Sequence, residues 1–362
     1  MKAVVVLANQ PQSLHLAEVA PPEPSPGEVQ VKVLEVGLCG TDRDIVQGKY
    51  GEPPPGESLL VIGHENLGVV SHLGEGVTAF SPGELVVATV RRPCPELCLN
   101  CQAGEPDMCR TGNFRERGIK GLSGFATEAY VEQARYLVRI PERLRRVAVL
   151  LEPLSVVEKA LREAWFIQER LIWRPERAFV TGAGPIGLLS AMVLRLKGLE
   201  VHLLDRVAPE HPKARLAQAL GASFHHADAH HGLGELSASV GRPDVIVEAT
   251  GVSSLSFPAV LALSCNGILV RLGLSPSRQL ISLPGDVINQ TMVLENILVL
   301  GSVNANVQDF DQGIADMLAC EQRFPGWLEG LITRRLPLSA LTRAFEREPD
   351  DVKVVLEVAA TP

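Results

Sequence analysis

No stretch of this chain is apolar over the roughly 20 residues that a membrane-spanning helix needs, so no membrane partner is expected. Positive charge is in deficit: 34 Lys and Arg stand against 42 Asp and Glu, a formal net charge of -8. That balance argues against nucleic acid or an anionic membrane surface as the main partner. The sequence also lacks an internal repeat, a low-complexity tract and a long linker. No secretory leader is expected either. The apolar start Met1-Lys2-Ala3-Val4-Val5-Val6-Leu7-Ala8 is too short for one and is stopped by Asn9-Gln10. It reads instead as a first β-strand, and the expected compartment is the cytoplasm. In that reducing setting the seven cysteines are not a disulfide framework, and metal binding is the better default.

What is present is the composition of a globular enzyme: 362 residues, 46% apolar and 21% charged. That length is a prior for two or three domains. The first 150 or so residues carry short β-branched runs such as Glu28-Val29-Gln30-Val31-Lys32-Val33 and Leu85-Val86-Val87, broken by Gly and Pro. They predict an all-β, barrel-like domain. From Leu154 to Glu169 the texture turns helical, and then strand and helix patterns alternate. Predicted strands are Ala178-Phe179-Val180, Glu200 to Leu204, Val245-Ile246-Val247, Ile268-Leu269-Val270 and a buried Ile297-Leu298-Val299-Leu300. Helices are predicted over Ile186 to Lys197 and Lys213 to Leu220. Such alternation means βαβ units and a doubly wound parallel sheet. The last 55 or so residues break the rhythm. A helix near Phe310 to Phe324 and a strand over Val352 to Val358 are expected to fold back onto the first domain. The division is therefore 1–153 with 308–362 as one domain, and 154–307 as the other, an α/β fold overall.

Gly182-Ala183-Gly184-Pro185-Ile186-Gly187 fits G-x-G-x-x-G and stands where the fingerprint has meaning, directly after a strand and opening a helix. The first glycine allows the tight turn, the second a close approach to a pyrophosphate, and the third close packing of helix on strand. The helix N-terminus presents free N–H groups to the phosphates. The next strand ends in Asp205, 23 residues after Gly182, where a carboxylate would take a ribose 2′-hydroxyl. Asp205 favours NAD, whereas Arg206 beside it would attract a 2′-phosphate. NAD is expected, with NADP also accepted.

Cys94, Cys98, Cys101 and Cys109 are spaced C-x3-C-x2-C-x7-C in a polar loop with Pro93, Pro95, Asn100 and Gly104. Four thiolates close a tetrahedral zinc site with no open position, which makes it structural. A second candidate is dispersed: Cys39 in Gly37-Leu38-Cys39-Gly40-Thr41-Asp42, His64 in Gly63-His64-Glu65, and Glu152 in Leu151-Glu152-Pro153. Thiolate, imidazole and carboxylate would leave one position of a catalytic zinc for water or substrate. The residues are far apart in sequence, and each alone is as readily packing or surface.

Over essentially its whole length the chain resembles the medium-chain zinc-dependent dehydrogenase superfamily. The matching pieces are G-x-C-G-T-D near residue 40, Gly63-His64-Glu65, the cysteine loop and the glycine fingerprint. Within that superfamily it is most similar to the glucose 1-dehydrogenases of archaea and thermophiles. That likeness rests on Cys39-Gly40-Thr41-Asp42-Arg43, Arg91-Arg92, Thr111-Gly112-Asn113-Phe114-Arg115-Glu116-Arg117-Gly118-Ile119, Glu152-Pro153-Leu154 with Val157-Glu158-Lys159-Ala160, and Gly301-Ser302-Val303-Asn304. The resemblance implies a GroES-like catalytic domain joined to a Rossmann domain. It implies that Cys39, His64 and Glu152 hold a catalytic zinc, with Glu65 a nearby or exchanging ligand, and that Cys94, Cys98, Cys101 and Cys109 hold a structural zinc. Thr41, Glu116 and Asn304 would face the sugar and the nicotinamide ribose, with Thr41 relaying the proton.

The implied activity is oxidation of an aldose, D-glucose at C1, with hydride transfer to NAD(P). A small-molecule sugar or alcohol is thus the partner, in a homo-oligomer, dimer or tetramer, as is common in the family. A polyol, threonine or simple alcohol dehydrogenase is the alternative; a zinc-free quinone reductase or a non-catalytic nucleotide sensor is more remote. Two departures stand out. Cys94 to Cys98 is one residue longer than the family's usual C-x2-C, and Val90 stands where the sugar dehydrogenases tend to have an asparagine. Cys265 and Cys320 are read as buried thiols, and His225, His226, His230 and His231 as a solvated loop in preference to a surface metal site.

Overall fold

The computed structural model of the protein describes residues 1–230, 232–275 and 280–359. The chain forms two compact units: Met1–Ser155 with Asn304–Met317 and Ile332–Pro362, and Val156–Val303 with Leu318–Leu331.

The first unit is built on a long strand, Glu28–Leu38. Val29, Val31 and Val33 are buried while Gln30 and Lys32 face outward, the period-two signature of a half-buried strand. From Leu34 onward every residue but one is fully apolar or glycine, and the whole stretch is buried. Register shifts at Gln30/Val31 and Val33/Glu35 mark bulges that bend the strand against its partner Glu65–Leu73. The seven-stranded sheet runs Leu137–Arg139, Leu85–Ala88, Glu65–Leu73, Glu28–Leu38, Lys353–Glu357, Ile332–Pro337, with Ala129–Gln133 also paired to Glu28–Leu38. Lys2–Leu7 is the predicted first strand and centres a separate three-stranded sheet. The C-terminal strand does return to this unit: Val354 to Glu357 pair antiparallel with Leu38 to Glu35. Arg334 pins that return. It ion-pairs with Asp351 at 2.6 Å and Glu348 at 2.9 Å and donates to the Glu346 carbonyl at 2.7 Å.

The second unit is a six-stranded sheet in the order Ser223–His226, Glu200–Asp205, Arg177–Thr181, Val245–Glu248, Ile268–Arg271, Leu298–Gly301, every pairing parallel. Numbered along the chain this is 3-2-1-4-5-6, the doubly wound order. Phe179, Ile246 and Leu269 are buried in one apolar cluster with Leu233, Leu236 and Val260. Among the described residues no helix is long and apolar enough to cross a membrane.

Three expectations are corrected here. Leu298–Gly301 is a strand but not a buried one: it is the sheet's edge, and Val299 is 42% exposed. An apolar β-branched run looks the same at an edge as in a centre. Cys320 is buried, but Cys265 is exposed, because it sits in a turn next to Asn266 with φ 63°. His225 and His226 belong to the strand Ser223–His226, where parallel pairing with Leu204 and Asp205 orders residues expected in a loop. His225 also packs against buried His202, with ring nitrogens 2.9 Å apart. His231 lies outside the described residues.

Candidate metal centres and substrate site

Cys39 follows the end of strand Glu28–Leu38 and caps the helix Gly40–Val46. Its sulfur accepts from the Thr41 amide at 3.2 Å, while Asp42 accepts from the Cys39 amide at 2.9 Å. This is a capping box with a thiol in place of the usual hydroxyl. It fixes the direction of the thiol before any metal is considered, and places half-buried Thr41 beside it. His64 Nε2 lies 3.0 Å from Cys39 Sγ, and its other nitrogen, Nδ1, lies 3.4 Å from Asp42 Oδ1. Burial alone would push the Asp42 carboxyl up, but His64 and the Cys39 amide outweigh it and hold it below the usual carboxylate range. Asp42 therefore stands as an anion behind the imidazole, the arrangement that orients a metal-binding histidine.

Two glycines make this possible. Gly63 has φ +89°, and a Cβ there would lie 2.8 Å from Val36. A Cβ at Gly37 would lie 2.0 Å from Glu65 Oε2, so the strand facing Glu65 must be bare at that point. Glu65 is buried, and both its oxygens accept from buried Lys353 Nζ, at 2.6 and 2.7 Å. Ligand atoms of Cys39, His64 and Glu65 lie within 4.8 Å of one another. Glu152, in the first turn of helix Leu151–Gln168, is not in that group. Its carboxyl is pushed up to about 7, chiefly by burial, with His64 and Lys353 pulling down against Glu65 and Asp42.

The four loop cysteines meet as their spacing predicts, with all four sulfurs within 4.8 Å. Cys94 and Cys101 sulfurs are 3.7 Å apart, and Cys98 and Cys109 are 3.9 Å apart. A tetrahedron with Zn–S bonds of about 2.3 Å has edges of roughly 3.8 Å. The extra residue between Cys94 and Cys98 is absorbed by Leu97, which takes φ 46° and is 47% exposed. The thiols are not alike: amides of Cys101 and Arg110 lower Cys98 to about 6, while burial raises Cys101 to about 12.

Glu116 and Asn304, distant in sequence, are joined: Asn304 Nδ2 donates to Glu116 Oε1 at 3.0 Å, and both are buried. Asn304 itself has φ 60°, a left-handed conformation that asparagine tolerates. Val90 is packed in the apolar core of this unit and brings no hydrogen-bonding side chain.

In the second unit, Gly182 has φ +96°, and a Cβ at Gly187 would lie 1.8 Å from the Gly182 carbonyl oxygen. Gly184 is the N-cap of helix Pro185–Leu196, with Pro185 at its first position and Ile186 and Gly187 in its first turn. A Cβ on Gly184 would meet nothing within 4 Å, so that face of the turn is open. Asp205 ends its strand as expected, but its carboxylate already accepts from the Ala183 amide at 2.5 Å and the Val207 amide at 3.1 Å. It braces the glycine turn. Arg206 beside it is exposed.

Sequence reasoning missed three residues. Asp42 was quoted in a motif but given no task; its spacing of three from Cys39 is a capping-box signal. Lys353 carries no local signal, being 288 residues from Glu65. Arg91 was noted only as part of a likeness, yet it is a buried cation paired with Glu116 at 2.9 Å.

Comparison with known proteins agrees with this geometry. Residues 25–142 match the alcohol dehydrogenase GroES-like domain and residues 145–358 match the glucose dehydrogenase C-terminus. The chain is 45% identical to glucose 1-dehydrogenase of Methanocella arvoryzae, over 99% of this chain and 100% of that one. It is 42% identical to glucose 1-dehydrogenase of Thermoproteus tenax, over 99% of each. Haloferax mediterranei glucose dehydrogenase, solved in complex with NADP, Zn and gluconolactone, superposes with a TM-score of 0.92 at 33% identity, covering 100% of both chains. The GroES-like and Rossmann parts expected from the sequence are thus both present, and the chain belongs to the medium-chain zinc-dependent dehydrogenase family, in its glucose dehydrogenase branch.

Proposed function

We propose that this protein is a glucose 1-dehydrogenase, oxidising D-glucose at C1 to the lactone and passing the hydride to NAD or NADP. The observation that carries it is one unit holding both a cluster of half-buried Cys39 with buried His64 and Glu65 and a polar pair, Glu116 with Asn304, in a chain similar along its full length to glucose 1-dehydrogenases.

The donor set suits zinc: a thiol and an imidazole nitrogen 3.0 Å apart, with buried carboxylates beside them. Cys39, His64 and Glu152 hold the catalytic ion. Glu65, already paired with Lys353, is the nearby and exchanging ligand, and Glu152 is a buried acid whose charge a dication would stabilise. Zinc bound there supplies Lewis acidity, lowering the pKa of an alcohol toward neutrality. Thr41 Oγ1 takes the proton of the C1 hydroxyl and passes it outward. Glu116 and Asn304 orient the ring hydroxyls, and Asn304 also faces the nicotinamide ribose. The Gly182–Gly187 turn and the helix it opens hold the pyrophosphate. Each Asp205 oxygen accepts one backbone amide and keeps a lone pair for a ribose hydroxyl, while exposed Arg206 attracts a 2′-phosphate, so both coenzymes serve. Cys94, Cys98, Cys101 and Cys109 hold the structural zinc.

Val90 offers no hydrogen bond where the sugar dehydrogenases tend to have an asparagine, so other aldoses are accepted with reduced discrimination. The protein works in the cytoplasm as a homo-oligomer; the exposed Val287, Val293, Leu294 and Val299 of the second unit support a subunit contact.

The test is reduction of NAD and of NADP by the purified protein with D-glucose, with and without a zinc chelator. Chelator-sensitive reduction is expected. Reduction with polyols or simple alcohols but not with aldoses would move the substrate class, and no reduction with any alcohol would overturn the enzyme reading.

A further inference from the structure

Arg91 and Arg92 are neighbours on one short strand, so their side chains leave opposite faces. Arg92 goes to Glu132, at 2.5 Å, and stacks over Tyr136. Arg91 goes toward Glu116 and is only 5% exposed. Its Nε and Nη2 both reach Glu116 Oε1, at 3.0 and 2.9 Å. Its Nη1 donates to the Asp107 carbonyl at 3.1 Å, and its guanidinium lies 3.6 Å above the centre of the Phe114 ring. Asp107 stands in the turn Pro106–Met108, directly ahead of Cys109. Asn100, from the segment between Cys98 and Cys101, ties that turn down by donating to the Met108 carbonyl at 2.6 Å.

Glu116 Oε1 thus gathers Arg91 and Asn304, while Oε2 takes no hydrogen bond among the described residues. A carboxylate clamped through one oxygen presents the other in a fixed direction. The clamp is one guanidinium whose third edge is held by the cysteine loop. Lysine carries its three donors on one nitrogen and could not span all three partners.

We propose that Arg91 is a positioning residue that couples the four-cysteine loop to sugar recognition: the loop holds Arg91, and Arg91 aims Glu116 Oε2 at a sugar hydroxyl. This rests on the reading of Glu116 as a sugar contact. The loop then sets sugar affinity while taking no part in hydride transfer.

The test uses the full-length, zinc-loaded protein with Arg91→Lys, Glu116→Gln, Cys98→Ser and the pair Arg91→Lys/Cys98→Ser. Sugar affinity is read as the glucose KM and, apart from turnover, as the calorimetric Kd of 1,5-anhydroglucitol, a glucose analogue with no C1 hydroxyl. Arg91→Lys is expected to weaken both by about tenfold or more, the scale of losing a charge-assisted hydrogen bond, with coenzyme Kd unchanged and kcat moved much less. Cys98→Ser should weaken sugar binding as well, and the pair should be no worse than Arg91→Lys alone, because both break one chain of contacts. If Cys98→Ser does not fold, Asn100→Ala, which removes the tie on the Pro106–Met108 turn, takes its place in the cycle. Unchanged sugar Kd in Arg91→Lys, with Glu116→Gln weakened, would overturn the positioning role and leave the substrate reading intact. Fully additive effects would overturn the coupling to the loop. Unchanged sugar Kd in Glu116→Gln would remove the reading underneath, and the proposal with it.

Discussion

The two cysteine-bearing centres of the first unit solve the same problem in opposite ways. The loop centre draws four identical ligands from residues 94–109, and each sulfur is delivered by the local chain. The Cys39–His64 centre draws on the residue after one strand and on two residues at the start of another, and its donor groups differ in type. In the loop, geometry depends on a few backbone turns. In the second centre it depends on the sheet, on bare glycines at Gly37 and Gly63, and on buried counter-charges at Asp42 and Lys353. A local centre folds with its loop, and a dispersed one is only as good as the register of the strands that carry it.

The largest separation between them should come from deleting one ligand in each. His64→Ala is expected to lower kcat/KM for glucose by about 10³-fold or more, as the loss of a proposed ligand of the Lewis acid, while the melting temperature stays close to the parent's. Cys98→Ser should do the reverse, lowering the melting temperature with a smaller loss of kcat. A His64→Ala protein with full turnover would refute the catalytic assignment.

Lys353→Met probes the counter-charge. It strands the Glu65 carboxylate in a fully buried position, which costs about 3–5 kcal/mol when a buried pair is broken from one side. In the metal-free protein the whole penalty should appear in chemical denaturation. With zinc added it should shrink, because Glu65 then has another cation within reach. An equal penalty with and without zinc would rule out Glu65 as an exchanging ligand.

Asp42→Asn is a smaller change behind the same histidine. The side chain keeps its shape and its bond from the Cys39 amide, but loses the charge facing His64 Nδ1. A loss of about 10- to 100-fold in zinc affinity or turnover is expected, the usual range for the group that orients a metal-binding imidazole. Equilibrium dialysis with a zinc indicator would measure it. An unchanged affinity would mean that the capping box alone, and not the charge, matters at residue 42.

The same contrast explains what could be read in advance. The loop centre was visible because four cysteines in one polar stretch have few other uses, and the glycine fingerprint because strand, turn and helix are contiguous. The doubly wound parallel sheet followed from the alternation of patterns along the chain, but its edge strand Ser223–His226 did not. Hidden were the contacts made by long-range pairing: Lys353 on Glu65, Arg91 on Glu116, and the place of Leu298–Gly301 at an edge instead of inside the sheet. Asp205 shows a subtler limit. Its position was read correctly, but the two amides that occupy its oxygens come from turns whose exact path no spacing encodes.

The smallest expected effect tests how each centre handles backbone strain. Gly63 delivers His64 with φ +89° at no steric cost, whereas the loop places Leu97 at φ 46° to take up its extra residue. A branched residue there pays about 1–2 kcal/mol for the left-handed conformation. Glycine would remove that cost but give back roughly 0.5–1 kcal/mol through the greater freedom of the unfolded chain. Leu97 is 47% exposed, so about half of the roughly 1.5–3 kcal/mol of a full leucine burial is lost as well. The terms nearly cancel, and Leu97→Gly should leave stability within about 1 kcal/mol of the parent's, read as a nearly unchanged denaturation midpoint with the structural zinc retained. A clear fall would show that the Leu97 side chain holds the loop by packing, and that the local centre leans on its surroundings much as the dispersed one does.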